Sequence, residues 1–249
     1  MIAPPYAAPR EGRRRRGCAR LFGIAVAAGA LWLGWQIGTW PDVAALADEP
    51  PETTAFIERW RSGGWLGLGP EREVSWRWVP GSRISRNLKH AVVVAEDIEF
   101  FSHDGFSRRE LRAALEKALE EKSVPRGAST ITQQLAKNLW LSPSRNPLRK
   151  VKEALLTAQL ERELSKRRIL ELYLNVVEWG LGIYGAEAAS RHWFGKSARS
   201  LTEHEAAQLA AALPRPRSWH PGSDSRAYRR MVRTVERRMR KARWVRRHL

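Results

Sequence analysis

The apolar residues of this chain follow two patterns. Between Leu21 and Gly38 they run almost without a break, Gln36 being the one polar interruption. About 18 apolar residues are just enough to cross a bilayer core as a helix. From Ile84 onward the pattern changes, and apolar residues recur every three or four positions, the spacing that gives a helix one apolar face. This periodicity predicts helices over Leu88–Phe101, Ser107–Lys122, Thr130–Leu141 and Leu148–Leu164. Ser165 is placed to cap a fifth, running to about Val177. Thr202 with Glu205 forms a capping box for a sixth, which ends near Leu213, before Pro214. The segment SVPRG, Ser123 to Gly127, reads as a mobile loop. Strand signals are nearly absent and no internal repeat is visible, so the expected fold class is mainly α.

Charge sharpens the reading of the ends. The chain has 249 residues and a net charge of +18, unevenly placed. Residues 1–20 carry +5 and residues 215–249 carry +11, which leaves +2 for everything between. Such ends attract phosphate, on lipid or on nucleic acid. Arg10 to Arg20 precede the apolar run, whereas Asp42, Asp48, Glu49 and Glu52 follow it, and Trp32, Trp35 and Trp40 gather toward its far end. By the positive-inside rule the N-terminus stays in the cytoplasm and the remainder is exported. The ALA at Ala45 to Ala47 resembles a signal-peptide cleavage site. It lies well past a run that is itself long for a signal peptide, so an uncleaved anchor is expected. Cys18, the single cysteine, rules out an intrachain disulfide and a Cys-rich metal site.

The expected organisation is a basic cytoplasmic tail over 1–20, a transmembrane helix over 21–38, a Pro-containing linker over 39–56, a catalytic domain over 57–221 and a basic extension over 222–249, helical or disordered. Residues 57–80 hold Trp60, Trp65, Trp76 and Trp78 among glycines. They rest on a bilayer surface or pack under an irregular loop, and the sequence leaves both open.

Three stretches carry candidate chemistry. In AVVVAEDIEFFSHDG, Ala91 to Gly105, helical spacing puts Glu96 on a face with Val92, Val93 and Phe100. Burial on an apolar stripe raises a carboxyl pKa, as a general base or acid requires, although a structural ion pair with a nearby cation would also explain it. In RGASTITQQLAKN, Arg126 to Asn138, Ser129 or Thr130 is placed to cap a helix whose free N–H groups suit an anion. Gln133, Gln134, Lys137 and Asn138 follow with amide and ammonium groups. In SRNPLRKVKEALL, Ser144 to Leu156, the cations Arg145, Arg149, Lys150 and Lys152 surround Glu153, itself aligned with Leu156, Leu160 and Leu164. A basic cluster beside a semi-buried carboxylate suits a diphosphate. An ordinary Arg149–Glu153 pair would account for that Glu equally well.

These stretches resemble the motifs of the peptidoglycan glycosyltransferases. EDIEFFSHDG is similar to their E-D-x-x-F-x-x-H-x-G, GASTITQQ to G-x-S-T-I-T-Q-Q, and RKVKE to R-K-x-x-E. SKRRILELYLN and GIYGAEAASRHWFGK resemble the remaining two blocks, in order, from about Ile84 to Pro221. The chain is most similar to the monofunctional, Gram-negative inner-membrane type.

The resemblance implies a lysozyme-like, mainly α domain with a membrane-abutting part. It implies polymerisation of lipid II: the growing undecaprenyl-diphosphate-linked glycan is transferred to the 4-hydroxyl of the incoming lipid II with inversion. It makes Glu96 the general base and gives Glu153 the positioning of the diphosphate, of a divalent ion or of a catalytic water. Lys137 and Arg145 would stabilise the leaving diphosphate, with Arg149, Lys150 and Lys152 assisting, while Ser129, Thr130, Gln133, Gln134 and Asn138 line the cleft. Asp97 and His103 shape the motif's turn. No tightly bound cofactor is implied, though the diphosphate admits a divalent cation, Mg2+ or Mn2+. The expected partners are lipid-linked glycan, the inner membrane, and cell-division or elongation proteins, with no nucleic acid. Two rival readings remain: a lytic enzyme on the same fold, against which the cation cluster argues, and a non-enzymatic binder using the basic ends.

Overall fold

The computed structural model describes residues 23, 26–31, 34–36, 38–64, 69–107, 129–144 and 146–249. The chain divides into two units, Met1–Asp42 and Val43–Leu249. In the first unit the described residues between 23 and 38 are helical, with Val26, Leu31 and Trp35 exposed. The expected membrane-spanning helix over 21–38 falls partly outside the described residues. Among those described, no helix is long and apolar enough to cross a membrane.

The second unit is mainly helical. In chain order its described helices are α1 (Ala55–Arg61), α2 (Arg86–Glu96), α3 (Ile131–Trp140), α4 (Pro147–Glu163), α5 (Lys166–Val176), α6 (Ala186–Phe194), α7 (Glu203–Ala212) and α8 (Arg226–Lys241). The core lies where α2, α7 and α8 pack together and where α3 packs against α4 and α5. Leu88, Val92, Ile131, Leu135, Leu156, Leu160, Ile169 and Leu172 are fully buried there.

The ends of these helices follow the expected capping chemistry. Thr130 and Gln133 form a reciprocal capping box at the start of α3, and Thr202 and Glu205 form another at α7. Asn146 caps α4, with Pro147 at its first position, and Ser165 caps α5. One boundary differs from expectation. The helix predicted to run to Phe101 ends at Glu96, because Asp97 leaves helical geometry at φ −161° and ψ 80°. The second predicted helix and the SVPRG loop lie outside the described residues, except for Ser107, whose hydroxyl donates to Glu99 Oε2 at 3.0 Å.

Three further expectations need correction. Residues 222–249 are not an appendage. Tyr228, Val232, Val235 and Met239 on α8 and Val245 beyond it are buried against α2 and α7. The signal that places them is an apolar stripe at i, i+4, i+7 and i+11, which the density of arginine masks. Nor is the segment 39–56 wholly a linker. Val43 and Leu46 are buried, and the Arg168 guanidinium donates to the carbonyls of Leu46 and Glu49. Finally, a short sheet does exist, ordered β1 (Ser75–Trp76), β3 (Ile183–Tyr184), β2 (Glu178–Gly180). Its strands of two or three residues are too short to show alternation. Of the two readings for the Trp-rich stretch, packing fits Trp60 and Trp76. Their indole N–H groups donate to the carbonyls of Glu73 and Asn175.

Candidate active site

The site begins with a clamp between two helix ends. Asp97 follows α2 directly, and its Oδ2 accepts the backbone N–H of Ile131, the first residue of α3, at 3.0 Å. His103 Nε2 lies 3.0 Å from Asp97 Oδ1, and the Gly105 N–H donates to His103 Nδ1 at 3.1 Å. Nδ1 is therefore an acceptor, so Nε2 carries the proton and donates to Asp97. Gly105 holds φ +87°, and a Cβ there would fall 2.7 Å from Thr157 Cγ2. Its carbonyl accepts the Thr130 hydroxyl at 2.7 Å. The C-terminus of α2 is thus fastened to the N-terminus of α3.

That clamp sets Glu96 beside Gln134. Gln134 Nε2 donates to Glu96 Oε2 at 2.9 Å and, more weakly, to the Ser129 carbonyl at 3.3 Å. The fully buried Tyr173, on α5, donates its hydroxyl to Gln134 Oε1 at 2.9 Å. This bond fixes which way the amide faces: its oxygen toward Tyr173, its NH2 toward Glu96. Burial raises the Glu96 pKa above the ordinary carboxylate value, opposed by the Gln134 hydrogen bond and the Lys137 charge. Burial likewise raises the Tyr173 phenol well above its usual value, and the charges of Glu96 and Asp97 add to this.

Lys137 lies one turn further along α3. Burial pulls its pKa down, Glu153 and Glu96 pull it up, and Arg149 and Lys150 reinforce the lowering. It therefore senses both carboxylates, and its Nζ rests 5.9 Å from the centre of the Phe56 ring. Glu153 is buried on α4. Arg149 Nη1 donates to its Oε2 at 2.6 Å, and Lys150 Nζ donates to its Oε1.

The expected site residues therefore divide. Glu96, Gln134, Lys137, Arg149, Lys150 and Glu153 form one connected electrostatic group. Thr130 and Gln133 are buried and serve the α3 cap rather than an open cleft. Asn138 is also buried, and its amide donates to the Gln134 carbonyl at 2.7 Å. Ser129 offers its carbonyl to Gln134, and Lys152 is half-buried on α4. Arg145 lies outside the described residues. Tyr173 and Phe56 were not singled out by sequence. For Tyr173 a signal exists, since a tyrosine on the buried face of an amphipathic helix needs a partner for its hydroxyl. For Phe56 none does.

Among the described residues no group of three or more His, Cys, Asp or Glu is arranged to hold a metal ion. Both Glu153 oxygens already accept from cations, with Lys137 nearby, so the surroundings of this carboxylate do not fit a divalent ion.

The transglycosylase family model matches residues 67–240. The chain is 46% identical over 227 residues to the biosynthetic peptidoglycan transglycosylase of Thiobacillus denitrificans, covering 88% of this chain and 95% of that protein. It is 42% identical to the protein of the same name from Laribacter hongkongensis, covering 84% of this chain and 92% of the other. The corresponding protein of Methylobacillus flagellatus is 49% identical over 173 residues, which is 70% of this chain and 76% of that protein.

Proposed function

Because the chain belongs to the transglycosylase family, we propose that it is a peptidoglycan glycosyltransferase that polymerises glycan chains for the cell wall, with Glu96 and Lys137 at the reacting centre. The donor is the growing strand on its undecaprenyl diphosphate, and the acceptor is the 4-hydroxyl of lipid II. Glu96 removes the acceptor proton as the oxygen attacks the donor sugar carbon, inverting its configuration. The carbon–oxygen bond to the diphosphate breaks, and the diphosphate leaves with the electron pair. Lys137, Arg149 and Lys150, with Arg145 between Lys137 and Arg149 in sequence, meet the charge that develops on it. Glu153 holds two of these cations in place.

One observation carries this reading: a half-buried carboxylate with a raised pKa, held by the oriented amide of Gln134, close enough to a cationic cluster for Lys137 to sense both. A lytic enzyme would need the carboxylate but not the cations.

The enzyme works at the inner membrane, with residues 21–38 as a single-pass anchor and the catalytic unit in the periplasm. Leu148, Val151 and Leu155 on α4 support a membrane-facing side. They are 58%, 57% and 56% exposed at the spacing of one helical face.

The test is polymerisation of lipid II by the full chain in detergent, read on a gel. A ladder of glycan strands is expected from the natural protein and none from Glu96→Gln. Release of fragments from purified sacculi without any ladder would favour the lytic enzyme. A ladder that survives Glu96→Gln would displace Glu96 as the base.

A further inference from the structure

Apart from the Glu96–Lys137 centre, the fold holds a cavity of about 690 Å³. Phe56, Trp60, Tyr184, Arg72, Arg215 and Arg217 are among the residues that line it. Three of its arginines lie over aromatic rings. The Arg72 guanidinium sits 4.8 Å from the centre of the Trp60 ring, and that of Arg217 sits 5.2 Å from the same indole. Arg215 sits 5.2 Å from the ring of Trp219.

The Trp60 plate is held in place. Its Nε1–H donates to the Glu73 carbonyl at 2.9 Å. Gly182, at φ +73°, approaches so closely that a Cβ there would fall 2.7 Å from Trp60 Nε1. A stacked guanidinium gives its face to the ring and keeps its N–H edge for a planar anion, and a carboxylate matches that edge with two parallel bonds. Arg217 already donates from Nε to Glu178 Oε1 at 3.2 Å. Among the described residues, no carboxylate pairs with Arg72 or Arg215.

The cavity adjoins the proposed reacting centre. Phe56 lines it, and the same ring lies under Lys137 Nζ. A group seated against these arginines therefore belongs to a molecule large enough to reach Lys137. The apolar plates and prolines suit a peptide better than a bare phosphate, and the diphosphate already has its own cations at Lys137, Arg149 and Lys150. We propose that this cavity is a subsite for the carboxylates of the peptide borne by the glycan substrate, with Arg72 and Arg215 as its anion donors. This inference rests on the glycan-polymerase reading for the identity of the ligand, but not for its test.

The test is a titration of the full chain in detergent with a soluble muramyl pentapeptide, followed by calorimetry. The comparison ligands are the same peptide with its carboxylates amidated, and inorganic pyrophosphate. The acidic peptide should bind at least tenfold more tightly than the amidated one. Arg72→Gln with Arg215→Gln should remove that preference while leaving the amidated peptide unchanged, and the paired Lys substitutions should restore part of it. Circular dichroism melts check folding; if the double variant melts early, each single variant should still weaken acidic binding severalfold. Equal binding of both peptides, no peptide binding, or a preference that survives in the folded variants overturns the subsite. Pyrophosphate binding that the double variant abolishes, with the peptide silent, makes it a phosphate site and also overturns the proposal. Peptide binding by a protein that makes no ladder leaves the subsite standing and removes the polymerase reading instead.

Discussion

Glu96, at the end of α2, and Glu153, on α4, are carboxylates that act on the same lysine, yet their surroundings are opposite. Glu153 has both oxygens engaged by full positive charges, Arg149 and Lys150. Glu96 has a neutral amide as its hydrogen-bond partner, and burial raises its pKa. A carboxylate saturated by cations is a poor base, because removing a proton from a hydroxyl would require it to give up those partners. A carboxylate held by one amide, and made costly to ionise by burial, takes up a proton readily. The difference supports the proposed chemistry at Glu96 and a scaffolding part for Glu153, although both are expected from sequence to be semi-buried acidic residues.

The largest effect should come from Glu96→Gln. Loss of a positioned general base lowers turnover by roughly 10²–10⁴-fold, read from the rate of lipid II polymerisation. Stability should move the other way. The folded pKa of Glu96 lies above its unfolded value, so the folded state binds the proton more tightly. The stability contributed by this group is present at acidic pH and is lost as pH rises through the folded pKa. At neutral pH the Gln variant should therefore melt no lower than the natural protein. A variant that is both inactive and strongly destabilised would make Glu96 a structural residue like Glu153. Next is Lys137→Met, which removes the charge shared by the two carboxylates. A fall of about 10²–10³-fold in turnover is expected, as for other donors to a developing anion. A change confined to KM would place Lys137 in ground-state binding alone.

Glu153→Gln should act mainly on stability. It removes the negative charge that Arg149 and Lys150 share and leaves one amide oxygen where there were two acceptors, in a partly buried setting. Breaking a fully buried pair costs about 3–5 kcal/mol. Lys150 is half exposed, so about 1–3 kcal/mol is the expected loss, read from denaturant unfolding. A stable but inactive Glu153→Gln would erase the contrast between the two carboxylates.

How much of this contrast was visible in the sequence depends on where the information lies. Helix positions and caps are local, and Thr130, Ser165 and Thr202 announced them. The apolar surroundings of Glu96 and the upward pull on its pKa were likewise legible from spacing. The division of labour within STITQQ was not. Gln133 and Gln134 are adjacent amides, and spacing alone gives no reason to separate them. In the folded chain the box with Thr130 takes up Gln133, while the clamp from Asp97 to Ile131 turns Gln134 toward Glu96. The place of α8 was hidden for a related reason. Its four buried residues stand at the spacing of one face, but the arginines between them mask the stripe, and packing against α2 and α7 is what shows that it is buried.

The smallest effect tests the finest part of the contrast, the orientation of the Gln134 amide. Tyr173→Phe removes one hydroxyl and leaves the buried ring in place. The Gln134 oxygen then loses its donor, and only the weaker bond to the Ser129 carbonyl, at 3.3 Å, is left to help orient the NH2 toward Glu96. Because that NH2 stabilises the charged form of Glu96, its loss should raise the Glu96 pKa further. The acid limb of kcat/KM should move to higher pH, and activity at a pH on that limb should fall about tenfold for each unit of displacement. Well above the limb the two proteins should differ little, since Glu96 is ionised in both. A uniform loss at all pH values would mean that Tyr173 only supports the packing of α5 against α3. A limb that moves to lower pH would mean that the amide faces Glu96 with its oxygen, and that Glu96 is held in its protonated form instead.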